Sequence, residues 1–186
     1  MTKPSVKTKP TLPYPLWVYI VGLGFFVYLF FQILGFHADD SHNVFLSGLY
    51  FVEFGVHEAS HIVTAFLPPI ATAAAGSVGE VLFTVLILLA TIKGKAYFAS
   101  VFAGLWVMLA MHNAGIYMAD ARSQLLPLIG PGETVQHDWH FVFGQLGWLD
   151  KDTLIGGTVM TIGVGIGILA LLWGLTLIIL KIMKKV

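Results

Sequence analysis

The sequence LIGGTVMTIGVGIGILALLWGLTLIILKI extends from Leu154 to Ile182 and contains a single charged residue, Lys181, close to its end. A helix needs about 20 apolar residues to cross the hydrocarbon core of a lipid bilayer. Because this run is longer than that and almost uncharged, it predicts a membrane-spanning helix. It therefore sets the class of fold in which we interpret the rest of the chain.

Four further apolar runs have lengths suited to a membrane span. They cover about 17–36, 44–67, 73–92 and 97–121. The second run ends at Pro68-Pro69, where a helix cannot easily continue. Residues 128–153 form the least hydrophobic long stretch, in which we expect an interfacial or re-entrant helix. The sequence predicts an all-α, multi-pass integral membrane protein, with residues 1–186 forming a single helix bundle of about five transmembrane helices.

Composition supports this class and excludes others. Hydrophobic residues make up 57% of the chain and charged residues 11%, against about 25% charged residues in a soluble domain. The chain has no cysteine, which excludes disulfides, thiolate metal sites and cysteine nucleophiles. Since its formal net charge is zero, it has no basic footprint for nucleic acid. Membrane lipid is the partner that we expect.

The positively charged residues define no membrane orientation from the sequence alone. Five crossings would place the two ends of the chain on opposite sides of the membrane. Each side would then carry five of the ten Lys and Arg residues. Because the positive-inside rule depends on an excess of such residues on one side, it assigns no orientation to this arrangement.

The second apolar run holds the densest group of polar residues, including the sequence HEASH at residues 57–61. Ionisable side chains within a membrane span are costly, so each one is a candidate for function. Glu53, His57 and His61 are four residues apart and lie on one stripe of a helix. The two histidines can chelate one metal ion from adjacent turns. Glu58 lies beside them, in the position of the general base of HExxH zinc hydrolases.

Two histidines do not complete a metal site, and further candidates lie at a similar predicted depth on the same side of the membrane. The candidates for additional ligands are Asp120, His140 and His137. Residues expected to support the ligands or to bind a second metal are Glu53, Glu80, His112 and Asn113. Without cysteine, the ligand types favour zinc, iron, copper or manganese. The structural alternative is a hydrogen-bonded polar seam between helices.

Glycines occur in two places where they affect the path or packing of the predicted helices. Gly76 and Gly79 open the third apolar run just before Glu80, where they allow either close helix approach or an irregular backbone next to the site. The fifth run is studded with glycines, which favour tight packing through small residues. They are Gly156, Gly157, Gly163, Gly165 and Gly167.

The HEASH motif in a span, followed by a small-residue loop and two spans with an aspartate late in the second, resembles the site-2-type intramembrane zinc metalloproteases. The resemblance covers roughly residues 44–126. It implies that His57, His61 and Asp120 bind zinc and that Glu58 is the general base, with Asn113 matching the asparagine that precedes the family's aspartate. The implied activity is cleavage of peptide bonds, with a transmembrane peptide as substrate.

The chain departs from that family around its aspartate, and it resembles a short, divergent member. The family's aspartate usually follows Asn and Pro and precedes Gly. Between Asn113 and Ala121 the spacing is one residue shorter, and neither the proline nor that glycine is present.

Two other functions fit the surplus of histidines and acids. The His57–His61 spacing matches the HxxxH motif of di-iron membrane oxidases and hydroxylases, and His137–His140 matches part of their HxxHH motif, although a third histidine motif is missing. These residues would suffice for a dinuclear site with iron in place of zinc. A non-enzymatic alternative is an ion or metal transport protein that uses the His/Glu cluster as a transient site.

Overall fold

The computed structural model describes residues 12–36, 43–128 and 136–183. These ranges contain α-helices and one short 3-10 turn, and no strand, so the predicted all-α fold is confirmed for the described chain. The α-helices are α1 Leu16–Leu34, α2 Val44–Val63, α3 Pro69–Lys93, α4 Ala99–Ala119, α5 Asp138–Leu146 and α6 Asp152–Ile182, and the 3-10 turn is Leu149–Lys151.

Four of the described helical stretches are long and apolar enough to cross a membrane. They are α1, α3, α4 and the continuous stretch Leu149–Ile182 that contains α6. This is compatible with a multi-pass membrane protein. The predicted span at 44–67 is not among them. Although α2 has 20 residues, it carries two glutamates and two histidines, which lower its hydropathy.

The boundaries of α2 and α3 differ from the predicted runs. α2 ends at Val63, and the chain turns before Pro68-Pro69 instead of continuing to it. α3 begins at Pro69 itself, four residues earlier than predicted. A proline suits the first position of a helix because its fixed φ is helical and its missing N–H would have no helical acceptor there. In the stretch 128–153, residues 129–135 lie outside the described residues, and the rest contains α5 and the 3-10 turn.

α4 is the central helix, with 12 buried residues, and α6 packs along it in the opposite direction. The contact depends on glycines of α6, at which a Cβ atom would overlap α4. These are Gly156 against Ala119, Gly163 against Met111 and Gly167 against Met108. Gly157 and Gly165 have no neighbouring atom within 4 Å of a Cβ. Tight packing is thus confirmed for three of the five glycines predicted to provide it.

α1 runs parallel to α4. Near its start, the ring of Tyr19 packs edge-on against Phe98, with 4.8 Å between the ring centroids. Just after its end, the carbonyl oxygen of Phe36 accepts a hydrogen bond from Nε2 of His112 at 3.2 Å. The start of α1 therefore lies at the end of the bundle where α4 begins and α6 ends.

α2 runs in the same direction as α1 and α4, and this is why the predicted alternation of five crossings is not observed. The rings of Phe45 and Phe102 are 6.0 Å apart. Further along, Asn113 donates to Glu53 at 2.8 Å. The described chain places Leu12 beside Lys181, whose amino group donates to the Leu12 carbonyl oxygen at 2.6 Å. The expectation of opposite ends is corrected for the described residues.

Candidate metal centre

Three side chains converge at the end of the bundle where α2 and α4 end. His57 and His61 lie on adjacent turns of α2, with ring centroids 4.8 Å apart. Their Nε2 atoms lie 3.1 Å and 3.3 Å from the same atom, Oδ2 of Asp138. All three potential ligand atoms are within 4.8 Å of one another. This is the one group of three or more His, Asp or Glu ligands within mutual range among the described residues.

The second ring nitrogen of each histidine is held from α3. Nδ1 of His57 lies 2.5 Å from Oε1 of Glu80, and Nδ1 of His61 lies 2.8 Å from the carbonyl oxygen of Thr72. Because a carbonyl oxygen only accepts, the proton of a neutral His61 is on Nδ1, and its Nε2 lone pair faces Asp138. Histidines that bind metals commonly donate their other N–H to a carboxylate or carbonyl in this way.

The facing atoms require a proton or a cation between them. With both Nδ1 atoms protonated and the carboxyl ionised, the two Nε2 lone pairs point at a carboxylate oxygen, and none of the three atoms is a donor. A proton on an imidazole or on the carboxyl, or a bound cation, satisfies this arrangement. Two imidazoles and one carboxylate are a donor set that suits zinc.

Asp138 is positioned by contacts to both neighbouring helices. Its backbone N–H donates to the hydroxyl of Tyr117 in α4 at 3.1 Å. That hydroxyl also lies 3.4 Å from Oδ2 of Asp138. The next residue, Trp139, donates from its indole nitrogen to Ser77 of α3 at 3.0 Å. These bonds hold the first turn of α5 against the end of α4 and the start of α3.

Sequence analysis missed Asp138, Tyr117 and Thr72. Asp138 lies in the segment where His137 and His140 were singled out, so an acid between two candidate histidines was the available signal. Thr72 contributes only its backbone carbonyl, which no side-chain pattern reveals. Tyr117 lies in the last turn of α4, and its role depends on where α5 packs.

Glycine at position 76 allows α3 to approach the histidines. A Cβ atom on Gly76 would overlap the imidazole ring of His57, and one on Gly79 would overlap the side chain of Ser60. The close approach that was predicted for these two glycines is confirmed. It brings Glu80 to its bond with His57.

Asp120 is not part of the three-residue group. The resemblance implied Asp120 as the third ligand, and the structure places Asp138 beside the two histidines instead. α4 ends at Ala119, so Asp120 begins a turn. Its Oδ1 accepts from the Leu125 amide at 2.9 Å, and its Oδ2 accepts from the Leu126 amide at 3.0 Å. Burial opposes ionisation, but these bonds and one from Ser123 outweigh it and lower the pKa of Asp120. The carboxylate therefore organises the turn after α4.

His137 and His140 also have structural partners. Nδ1 of His137 accepts from the His140 amide at 3.2 Å and caps α5. Its ring stacks on Tyr117 at 4.2 Å, and burial lowers the pKa of His137 despite the nearby charge of Asp120. Nδ1 of His140 lies 2.8 Å from the Ala121 carbonyl oxygen. Both residues fix α5 to the turn after α4.

Of the four residues predicted to support the site, Glu80 alone touches the histidine pair among the described contacts. Glu53 is buried, and its Oε2 accepts the 2.8 Å bond from Asn113. His112 donates to the end of α1. Glu53, Asn113 and His112 thus tie α2 and α1 to the central helix.

Glu58 is half-buried, and its side chain makes none of the hydrogen bonds of the described residues. An open cavity of about 470 Å³ lies beside the three-residue group, which exposes His61 and Asp138 to it. Its walls include the apolar residues Leu67, Pro69 and Phe141. The group is therefore accessible from outside the bundle.

Comparisons with family models, curated proteins and solved structures found no match for this chain. The interpretation of the site consequently depends on its own residues and geometry.

Proposed function

We propose that the protein is a membrane-embedded zinc hydrolase whose metal ligands are His57, His61 and Asp138. The observation that carries this proposal is the convergence of two Nε2 atoms on one carboxylate oxygen, with both Nδ1 atoms held by acceptors. Catalytic zinc sites commonly have three protein ligands and leave a fourth position open. The cavity beside the group supplies the space for such a position.

Zinc at this site would supply Lewis acidity, which lowers the pKa of water to about 7 and polarises a substrate carbonyl. The chain's own contribution is proton transfer by Glu58, the second residue of the HExxH motif. Because its side chain makes none of the described hydrogen bonds, its carboxylate is available to accept the proton of the attacking water. Glu58 then donates that proton to the leaving amine.

Peptide bonds are the substrate class that we propose, on the basis of the resemblance to site-2-type metalloproteases. A spanning helix satisfies its own backbone hydrogen bonds, so a substrate has to unwind before its carbonyl is exposed. The open cavity is lined by His61 and Asp138 together with apolar residues such as Leu67 and Phe141. Those properties suit an extended segment that leaves a membrane.

The described contacts favour one metal ion over two. His112, His137 and His140 each have a partner in the protein, and none of them belongs to a second group of potential ligands in the described chain. A dinuclear iron site would need several of these histidines. We therefore propose a mononuclear zinc site instead of the di-iron alternative.

A comparison of Glu58→Gln with the exposed control Asp150→Asn tests the hydrolase proposal. The zinc-loaded proteins are incubated with a pooled peptide library of random sequence, and new termini are counted by mass spectrometry. We expect cleavage by the wild type and Asp150→Asn, and a loss of about 10²- to 10⁴-fold in Glu58→Gln, with zinc content unchanged. Wild-type rates in Glu58→Gln, or no cleavage by the zinc-loaded wild type, would contradict the proposal.

A further inference from the structure

The two ends of the helix bundle differ in charge. We call the end with the start of α1, the turn between α3 and α4 and the end of α6 the lysine end. We call the end with the metal centre, α5 and the start of α6 the site end. The difference in charge between the two ends depends on the direction of α1, because that direction determines at which end the chain enters the bundle.

Contacts between α1, α4 and α6 fix the position of the start of α1. The amino group of Lys181 donates to the Leu12 carbonyl oxygen at 2.6 Å and lies 5.2 Å from the centroid of the Tyr19 ring. Tyr19 in turn packs against Phe98, the residue before α4. The chain therefore enters the described bundle at the lysine end.

Eight of the ten Lys and Arg residues lie at the lysine end or next to it in the sequence. Lys93, Lys95 and Lys181 lie in its described part. The other five lie within nine residues of Leu12 or Met183 in the sequence, outside the described residues. They are Lys3, Lys7, Lys9, Lys184 and Lys185. All of these residues are close enough in sequence to a span to count in the positive-inside rule.

The site end has two basic residues and a surplus of acids. Arg122 follows α4 and Lys151 precedes α6. The guanidinium of Arg122 lies 3.3 Å from the buried carboxylate of Asp152, which balances its charge. Among the described residues, no Asp or Glu lies at the start of α1, in the turn between α3 and α4 or at the end of α6. Counted by sequence position next to the spans, eight Lys and Arg residues flank the lysine end of a span and two flank the site end. Five alternating crossings would instead have divided them equally.

We infer that the lysine end faces the cytoplasm, where it contacts the anionic headgroups of the inner leaflet, and that the metal centre opens on the opposite side of the membrane. Lys and Arg are retained on the cytoplasmic side, and the anionic leaflet attracts basic segments next to a span. This inference rests on the part of the proposed function that places α1, α3, α4 and α6 across a membrane. It does not depend on zinc or on hydrolysis.

Single cysteines test this orientation directly because the native chain has none. Ala96→Cys and Met183→Cys place an exposed thiol at the lysine end, and Leu125→Cys and Gln145→Cys place one at the site end. None of the four changes alters a charge. Intact cells that express each variant are treated with a membrane-impermeant maleimide, and labelling is repeated after solubilisation in detergent.

We expect the two site-end cysteines to be labelled in intact cells, and the two lysine-end cysteines to be labelled only after solubilisation. The reverse pattern, or labelling of both ends from outside, would overturn the inference. Full labelling of all four variants in detergent shows that each thiol is accessible. The same four cysteines in a His57→Ala/His61→Ala background separate the two proposals, since zinc would be lost while the labelling pattern stays unchanged.

Discussion

At the residue scale, the histidine pair and the carboxylate that faces it were not equally predictable. The proximity of His57 and His61 was predictable because helical spacing within one element determines which side chains share a face. The proximity of Asp138 to the pair was not predictable, because its position depends on where α5 packs on α3 and α4. The resemblance pointed to Asp120, whose carboxylate is instead occupied by the amides of the turn after α4.

Glu80 provides a test of how the ligands are supported. Its carboxylate lies 2.5 Å from Nδ1 of His57 and orients that imidazole. Replacement of such a partner typically weakens metal affinity by about 10- to 100-fold. We expect Glu80→Gln to raise the dissociation constant for zinc by about 10-fold, measured by competition with a chromogenic chelator. Glu53→Gln, a change in a buried glutamate that does not touch the pair, is the control, and an equal effect in both variants would contradict a specific role for Glu80.

Asp120 provides a second test, which depends on pH. Its lowered pKa means that the ionised carboxylate stabilises the folded turn. This contribution is complete above the ordinary pKa of 3.8 and is lost as the pH falls through the lower folded-state value. We expect Asp120→Asn to reduce the hydrogen-exchange protection of the Leu125 and Leu126 amides at neutral pH, and the difference from wild type to vanish well below pH 4. Equal protection at neutral pH would contradict the role of Asp120 in this turn.

At the element scale, packing between α2 and α3 was predictable from small residues but not in its detail. The sequence indicated that Gly76 and Gly79 permit close approach. It did not indicate that the approach places Glu80 and Thr72 on the two Nδ1 atoms. That outcome depends on the crossing of two helices, which no local pattern encodes.

Gly76→Ala tests the element-scale account. The added methyl group would overlap the His57 imidazole, so either that ring or α3 has to move. We expect weaker zinc binding, by about 10-fold or more, since orienting interactions of metal ligands have effects of that size. Gly165→Ala is the matched control because its added Cβ has no neighbour within 4 Å. Unchanged zinc affinity in Gly76→Ala would show that the predicted overlap does not disturb the site.

At the scale of the whole molecule, hydropathy was sufficient for the fold class but not for the topology. Counting apolar runs assumes that each run reverses the direction of the chain. Here α2 follows α1 in the same direction along α4, and it is the helix whose polar residues exclude it from the four apolar candidates. The helix that carries His57 and His61, α2, therefore lacks the apolar composition of the four candidate spans. Without α2 as a crossing, both described ends of the chain lie at the same end of the bundle.

The measurement that tests the central claim most directly is the zinc content per chain, determined by elemental analysis of protein purified without chelators. The wild type is compared with His57→Ala/His61→Ala, Asp138→Asn and Asp120→Asn. We predict about one zinc per chain in the wild type and Asp120→Asn, and loss of zinc in the other two, because a catalytic site depends on each of its three ligands. Zinc that is absent from the wild type, or that is lost in Asp120→Asn and retained in Asp138→Asn, would contradict the proposed centre.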